Sequence, residues 1–124
     1  MGPSVLVLTE NISTQLLLAS RLQALGYRVT ALTTPAAFAR AVEAAPFDWI
    51  LLDAAGMPRP RQRFFHHLRK HCGRARIVWC GAEPPRSVIA VQATFGLPLA
   101  YAELERYFAR WAPPRRTGAA SGGT

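Results

Sequence analysis

The sequence contains no long hydrophobic run, and no apolar stretch approaches the roughly 18 residues that a membrane-spanning helix needs. No basic stretch precedes an apolar core at the N-terminus, so we expect a cytoplasmic protein without a secretion signal or a membrane partner. Cysteine is scarce: Cys72 and Cys80 fit no metal-binding spacing. Without a secretion signal, both thiols are expected to be reduced.

Acidic residues are also few, with seven Asp and Glu against fifteen Lys and Arg, which gives a formal net charge of +8. Such a domain attracts nucleic acid, anionic surfaces or acidic proteins, and charge alone does not choose among these partners. The sequence has no Gly-rich phosphate-binding loop and no nucleophile–base pair, so we expect no independent enzyme.

What the sequence does contain is a regular alternation of short apolar runs and helical patterns. The central run, residues 49–52 (WILL), lies between Asp48 and Asp53 and predicts a strand buried on both faces of a parallel sheet. Similar runs predict strands at residues 4–9, 27–32 and 75–80. Residues 86–96 are ambiguous and fit a short helix, a strand, or one of each.

Helical patterns fill the spaces between the predicted strands. The predicted helices cover residues 13–25, 35–45, 59–71 and 101–111. Gly26 follows the first helix where helices often end, and Thr34 before Pro35 is typical of a helix start. The first helix is predicted to turn one broad apolar face inward, formed by Leu16, Leu17, Ser20, Leu22 and Leu25.

This alternation predicts βαβ units, and therefore an α/β domain with a parallel sheet between two helical layers. With five strands, the expected architecture is a flavodoxin-like three-layer sandwich with strand order 2-1-3-4-5. We expect one folded domain over residues 1–112 and a disordered tail or linker over residues 113–124. Asp53 then lies at the carboxyl edge of the sheet, where open α/β folds bind ligands.

Three features of the sequence are informative together: the order of its elements, Asp53 after its hydrophobic strand, and Leu97-Pro98-Leu99 before the last helix. In these features the sequence resembles the receiver (CheY-like) domain of two-component response regulators. The resemblance covers residues 4–111 and implies a bacterial signalling domain. In that family an acidic pair after the first strand helps hold Mg²⁺, and an aspartate after the third strand is phosphorylated. A Thr or Ser follows the fourth strand, and a Lys precedes a proline after the fifth.

Aligned with this pattern, the sequence keeps some functional positions and loses others. Thr9-Glu10 aligns with the acidic pair, so one carboxylate remains, and Asp53 aligns with the phosphoacceptor. Gly81 stands at the Thr/Ser position and Leu97 at the lysine, so contacts that stabilise the phosphorylated state are lost. Glu10 and Asp53 leave weak Mg²⁺ binding conceivable, and no other cofactor is expected. The resemblance therefore indicates a pseudo-receiver, with Asp53 either a phosphoacceptor or an inherited carboxylate that caps a strand or turn.

The segment between Gly81 and Leu97 is shorter than in an ordinary receiver, so the fourth of the family's five helices is expected to be shortened or missing. Residues 81–85, 88–91 and 97–104 are similar to the atypical N-terminal receiver of FleQ-type flagellar and biofilm regulators, which are transcription factors. A missing helix exposes apolar surface, and exposed patches mark partners. The last helix is therefore predicted to supply a protein-contact or dimer surface through Tyr101, Tyr107, Phe108 and Trp111. The alternative is that these side chains pack on the sheet.

Residues 59–76 form a basic segment without a single acid. Its cations are Arg59, Arg61, Arg63, Arg69, Lys70, Arg74 and Arg76. The segment is predicted to be a solvated helix face, and the alternative is electrostatic binding of nucleic acid, an anionic nucleotide or an acidic protein.

The same segment holds all three histidines. His67 and His71 share a helical face at i, i+4, but no carboxylate accompanies them in that helix, so we predict solvent-exposed histidines. Cys72 lies between Lys70 and Arg74, which could lower the pKa of its thiol, although an ordinary thiol is the favoured interpretation.

The function predicted from the sequence is signalling by protein contact or dimerisation, without ordinary Mg²⁺-dependent phosphorelay. One alternative is a receiver phosphorylated on Asp53. Another is an electrostatic binder that uses residues 59–76.

Overall fold

The computed structural model describes residues 2–54, 62–84, 86, 88–96 and 100–112. The strands are β1 (Ser4–Leu8), β2 (Arg28–Leu32), β3 (Trp49–Asp53), β4 (Arg76–Cys80) and β5 (Ala93–Phe95). The helices are α1 (Ile12–Ala24), α2 (Pro35–Ala44), α3 (Gln62–His71) and α4 (Tyr101–Trp111). None of the described helices is both long enough and apolar enough to span a bilayer. The predicted tail at residues 113–124 lies outside the described residues.

The five strands form one sheet in the order β2-β1-β3-β4-β5, and every neighbouring pair is parallel. This order confirms the flavodoxin-like architecture predicted from the sequence. Both faces of β1 and β3 are buried along their whole length, which explains why these strands are continuous apolar runs rather than alternating patterns.

Two separate cores lie on the two faces of the sheet. On one face, Val5 and Val7 of β1 meet residues of α1 and α4. On the other face, Leu6 and Leu8 meet residues of α2 and α3. Successive side chains of a strand point to opposite faces, so each central strand contributes to both cores.

The helix boundaries follow the local chemistry of the chain. The Asn11 side chain accepts a hydrogen bond from the backbone amide of Thr14 (3.0 Å) and caps α1. The Thr34 hydroxyl does the same for the amide of Ala37 (3.2 Å) at the start of α2. Gly26, with φ of 98°, ends α1 in a conformation that favours glycine.

The predicted inner face of α1 is right at Leu22 and Leu25 and wrong at Leu16, Leu17 and Ser20. Leu18 and Leu22 are buried, whereas Leu16 is 66% exposed and Leu17 37% exposed. Three successive leucines let the sequence fit more than one helical phase. The phase that occurs turns Leu18 toward the sheet, and Leu16 toward solvent.

Among residues 81–84, 86 and 88–92, which connect β4 to β5, the chain forms turns and no helix. The fourth helix of an ordinary receiver is thus absent from this part of the chain, as the short spacing predicts. Ile89 is buried instead, and Val88 and Val91 pack with it against the core beneath α2 and α3. The described part of the ambiguous segment therefore consists of irregular turns, whose apolar side chains pack on the core, followed by β5.

Tyr27 lies between α1 and β2 and links this part of the chain to α4. Its hydroxyl donates a 2.7 Å hydrogen bond to the backbone carbonyl of Phe108, and the two rings pack edge to face with centroids 5.4 Å apart. Burial raises the pKa of Tyr27 from its ordinary 10.0 to about 12, with a further contribution from Tyr107.

Replacing Tyr27 with Phe should lower the free energy of unfolding by about 1 kcal/mol, because it removes this buried hydrogen bond and keeps the ring. Since the folded-state pKa is raised, the advantage of the wild type is complete below pH 10 and lost as the pH rises toward 12. Urea unfolding across that range measures both effects. The control is Tyr101→Phe, whose hydroxyl makes only a 3.3 Å contact with Thr14 and should cost less. Equal costs for the two variants would contradict the prediction.

Candidate functional site

Asp53 ends β3 at the carboxyl edge of the sheet, and it is only 5% exposed. The hydroxyl of Thr9, just past the end of β1, donates a 2.8 Å hydrogen bond to Asp53 Oδ2. Thr9 is itself fully buried, and its Oγ1 also accepts a 3.3 Å hydrogen bond from the Asn11 amide. The candidate phosphoacceptor is therefore tied to the neighbouring strand end by a side chain of this chain.

Glu10 is exposed, in contrast to Asp53 and Thr9. Mg²⁺ binds through one or two carboxylates and completes an octahedron with water and phosphate oxygens. Glu10 and Asp53 supply a suitable number of carboxylates. However, Thr9 stands at the position aligned with the first residue of the receivers' acidic pair, and its hydroxyl hydrogen-bonds to Asp53 Oδ2. This donor set fits Mg²⁺ poorly. A metal bound at Asp53 would share this carboxylate with the Thr9 hydrogen bond.

Gly81 follows β4 directly, beside the end of β3. It adopts φ of 149°, and a Cβ built on it would lie 2.8 Å from the Cβ of Ala54. The Trp79 indole donates a 2.9 Å hydrogen bond to the Ala82 carbonyl, which closes the turn around Gly81. A side chain at position 81, which the sequence comparison aligns with the switching hydroxyl of receivers, would therefore meet Ala54.

Cys80 is fully buried beside Asp53, its register partner on β3. Burial, assisted by the negative charge of Asp53, raises the pKa of the Cys80 thiol to about 12. The thiol therefore stays protonated and acts as a packing group. Leu97, predicted at the lysine position, lies outside the described residues.

The last helix carries an aromatic surface, which we define as Tyr101, Tyr107 and Trp111. Trp111 is 41% exposed, and Tyr107 and Tyr101 are half-buried. Phe108, also predicted for this surface, is fully buried, so that part of the prediction is wrong. The reason is the phase of α4: Phe108 and Leu104 point into the core, which leaves Trp111 at the margin.

Arg76, at the start of β4, holds the exposed tryptophan in place. Its guanidinium carbon lies 4.3 Å from the ring centroid of Trp111 and 5.5 Å from that of Trp49. The two indoles are in edge-to-face contact at 5.6 Å. Cation–π contacts of this kind are worth about 0.5–2 kcal/mol. Arg76 is therefore a structural partner of the aromatic surface rather than a free member of the basic segment.

The remaining described cations of the basic segment are solvent-exposed. These residues are Arg63, Arg69, Lys70 and Arg74. Arg59 and Arg61 lie outside the described residues. This arrangement agrees with a solvated positive face and does not by itself indicate a ligand.

The histidines are arranged differently from the prediction. His66 is exposed, but His67 and His71 are half-buried and their ring centroids are 4.5 Å apart. His67 Nε2 lies 3.0 Å from Glu43 Oε2, a carboxylate of α2. Sequence reasoning missed Glu43 because it belongs to another helix, and no local spacing signals such a pairing.

Cys72, next to His71, is half-buried, and burial raises the pKa of its thiol. The positive charges of Lys70 and Arg74 do not offset that effect. The structure thus favours the ordinary thiol over the reactive one.

No protein-family model matches the sequence, and a search of curated proteins finds no match. Solved structures do match. The receiver domain of the sensor histidine kinase PA1611 from Pseudomonas aeruginosa PAO1, with a magnesium ion in its active-site cleft, is similar with a TM-score of 0.71 and 24% identity. The match covers 90% of this chain and 98% of that domain.

Two further structures extend the comparison. The chemotaxis protein CheY4 of Vibrio cholerae has a TM-score of 0.71 and 20% identity, covering 87% of this chain and 97% of that one. A putative pilus assembly protein (cpaE) from Burkholderia thailandensis has a TM-score of 0.65 and 18% identity, covering 87% and 96%. Likeness at these identities establishes the fold: the chain has the CheY-like receiver fold.

Gly81→Ala should lower the free energy of unfolding by roughly 2–4 kcal/mol, because the new methyl group meets Ala54 and the backbone conformation disfavours a side chain. Gly73 is the matched control, since it also has positive φ (60°) but no heavy atom within 4 Å of a built Cβ. Gly73→Ala should therefore cost only about 1 kcal/mol. Urea unfolding of both variants measures the difference. A Gly81→Ala cost no larger than that of Gly73→Ala would refute the packing argument.

Proposed function

We propose that this chain is a signalling domain that acts by contact with protein, without ordinary Mg²⁺-dependent phosphorelay at Asp53. The observation that carries the proposal is the hydrogen bond from the buried Thr9 hydroxyl to Asp53. In receivers an acidic side chain at that position helps to hold the metal. Here the residue aligned with that position, Thr9, hydrogen-bonds to the carboxylate of Asp53 instead.

Phosphoryl transfer to a carboxylate depends on positioning and on neutralisation of the charge on the phosphoryl oxygens. Asp53 is almost inaccessible, and Gly81 supplies no hydroxyl to the phosphoryl group. A ligand shifts a two-state equilibrium only through contacts that differ between the states. The lost side-chain contact at Gly81 therefore counts against a phosphorylation-driven switch as well as against transfer.

Incubation of the purified chain with a small phosphodonor and Mg²⁺ should leave its intact mass unchanged under conditions that label an ordinary receiver. The physical reason is that Asp53 is buried and engaged by Thr9. Asp53→Ala serves as the matched control. A phosphoryl mass increment in the wild type that disappears in Asp53→Ala would overturn the proposal and restore phosphorelay.

The companion variant Thr9→Asp removes the hydroxyl and restores the missing carboxylate. It should gain stabilisation by Mg²⁺, measured as a rise in Tm, because the ion then offsets the repulsion between two neighbouring carboxylates. Thr9→Val, which removes the hydroxyl without adding charge, should not gain it. Equal Mg²⁺ responses in the two variants would count against Thr9 as the residue that closes the site.

The aromatic surface supports contact with a second copy of the chain. Between β5 and α4 lies an open groove of about 500 Å³, lined in part by Phe95 and Tyr107, with Trp111 in ring contact with Tyr107. An exposed tryptophan held by Arg76 is a rigid apolar anchor, the kind of side chain that dominates protein interfaces. The net charge of +8 opposes self-association, so the contact is expected to strengthen with salt.

Trp111→Ser should weaken self-association by at least about tenfold, as expected for truncation of an aromatic anchor. Sedimentation velocity at low and high salt measures the association, and circular dichroism checks that the fold is kept. Leu16→Ser is the matched control, because Leu16 is a more exposed apolar side chain on α1 and lies outside the aromatic surface. A chain that is monomeric at every salt concentration, or equal effects of the two variants, would refute this surface.

A further inference from the structure

Glu43 of α2 and two histidines of α3, His67 and His71, form a compact cluster on the surface of the helical layer. One donor atom from each residue lies within 4.8 Å of the donor atoms of the other two. His67 Nε2 is 3.0 Å from Glu43 Oε2 and 3.2 Å from the Ala39 carbonyl oxygen. It is the only group of three or more such side chains with metal-binding spacing among the residues that the structure describes.

The donor types determine which ion suits the cluster. Imidazole nitrogens bind Zn²⁺, Cu²⁺ and Ni²⁺ well, whereas Mg²⁺ and Ca²⁺ prefer oxygen donors throughout. Two histidines and one glutamate make a familiar three-ligand set for tetrahedral Zn²⁺, with the fourth position open. The cluster is therefore chemically different from the Glu10 and Asp53 pair at the sheet edge.

The geometry is close to what tetrahedral coordination needs. Zn–N and Zn–O bonds of about 2.0–2.2 Å place neighbouring donors about 3.3 Å apart. Glu43 Oε2 and His67 Nε2 are 3.0 Å apart, close to this separation, and an ion would take the place of the hydrogen between them. One donor atom from each of the three residues lies within 4.8 Å of the others, so side-chain rotations that move donors by about 1.5 Å reach the tetrahedral spacing. Because His67 and His71 are four residues apart on one helix, their backbone positions are fixed relative to each other.

We propose that Glu43, His67 and His71 bind one divalent transition-metal ion, with Zn²⁺ as the best fit. The fourth ligand is water or a small anion from the adjoining open cavity of about 600 Å³, which Glu43 and His71 both line. Arg74 and Arg76 also line that cavity. Their charges oppose the cation but favour an anionic fourth ligand, whereas the carboxylate of Asp48, which lines the same cavity, acts in the opposite sense.

The bound ion would join α2 to α3, two helices that already contact each other over the same face of the sheet. A ligand that binds the folded chain alone stabilises it by mass action. Metal binding should therefore appear as a rise in Tm as well as in a direct titration.

The test uses the full chain without an affinity tag, stripped of metal with a chelator and titrated with Zn²⁺ in competition with a chromophoric chelator. We expect one Zn²⁺ per chain. His71→Ala and Glu43→Gln should each weaken binding by at least about tenfold, the lower end of the loss seen even for residues that merely support a metal ligand. His66→Ala is the matched control, because His66 is exposed on the same helix outside the cluster, and it should bind as the wild type does.

Two further measurements keep the result unambiguous. Cys72→Ser should bind as the wild type does, and Co²⁺ should give tetrahedral absorption bands without a thiolate charge-transfer band. Circular dichroism of the metal-free variants checks their fold, and Glu43→Gln alters an exposed side chain that is not part of the core. The proposal is overturned by absence of one-to-one binding, by unchanged affinity in folded Glu43→Gln and His71→Ala, or by dependence on Cys72. None of these outcomes depends on whether Asp53 accepts a phosphoryl group.

Discussion

The burial of β3 at the centre of a parallel sheet is the constraint on which the rest of the molecule depends. Because β1 and β4 take its hydrogen bonds and a helical layer covers each face, every side chain of β3 must fit an interior. One end of the strand carries Trp49, around which the aromatic rings of α4 assemble. The other end carries Asp53, held by Thr9. A single strand thus positions two of the regions for which a function is proposed.

Much of this fold could be predicted because its signals are local. Runs of buried strand residues, the caps at Asn11 and Thr34 and the stop at Gly26 are each encoded within a few residues. Strand order followed from the alternation of elements, since few topologies are compatible with right-handed crossovers. The location of Asp53 at the sheet edge followed from the same reasoning. Its hydrogen bond to Thr9 did not, because Thr9 follows β1 and is 44 residues away from Asp53 in the sequence.

The features that escaped prediction all depend on tertiary placement. Successive leucines in α1 allow several helical phases, and only packing against the sheet decides that Leu18 is the buried one. On α4, helical periodicity alone does not separate Phe108, inside, from Trp111, at the margin. Glu43 reaches His67 because α2 and α3 lie side by side, a contact that no spacing within either helix encodes. Contacts between side chains that are distant in the sequence therefore could not be predicted from local patterns.

Positions 81 and 54 lie so close together that the side chain at one limits the side chain at the other. A side chain at position 81 would meet the methyl group of Ala54, and the positive φ of Gly81 adds backbone strain. A substitution that places a hydroxyl-bearing side chain at position 81 therefore lowers stability, and a smaller residue at position 54 would relieve only the steric part of that cost. The amino acids tolerated at positions 81 and 54 are therefore expected to depend on each other, although the two positions follow different strands.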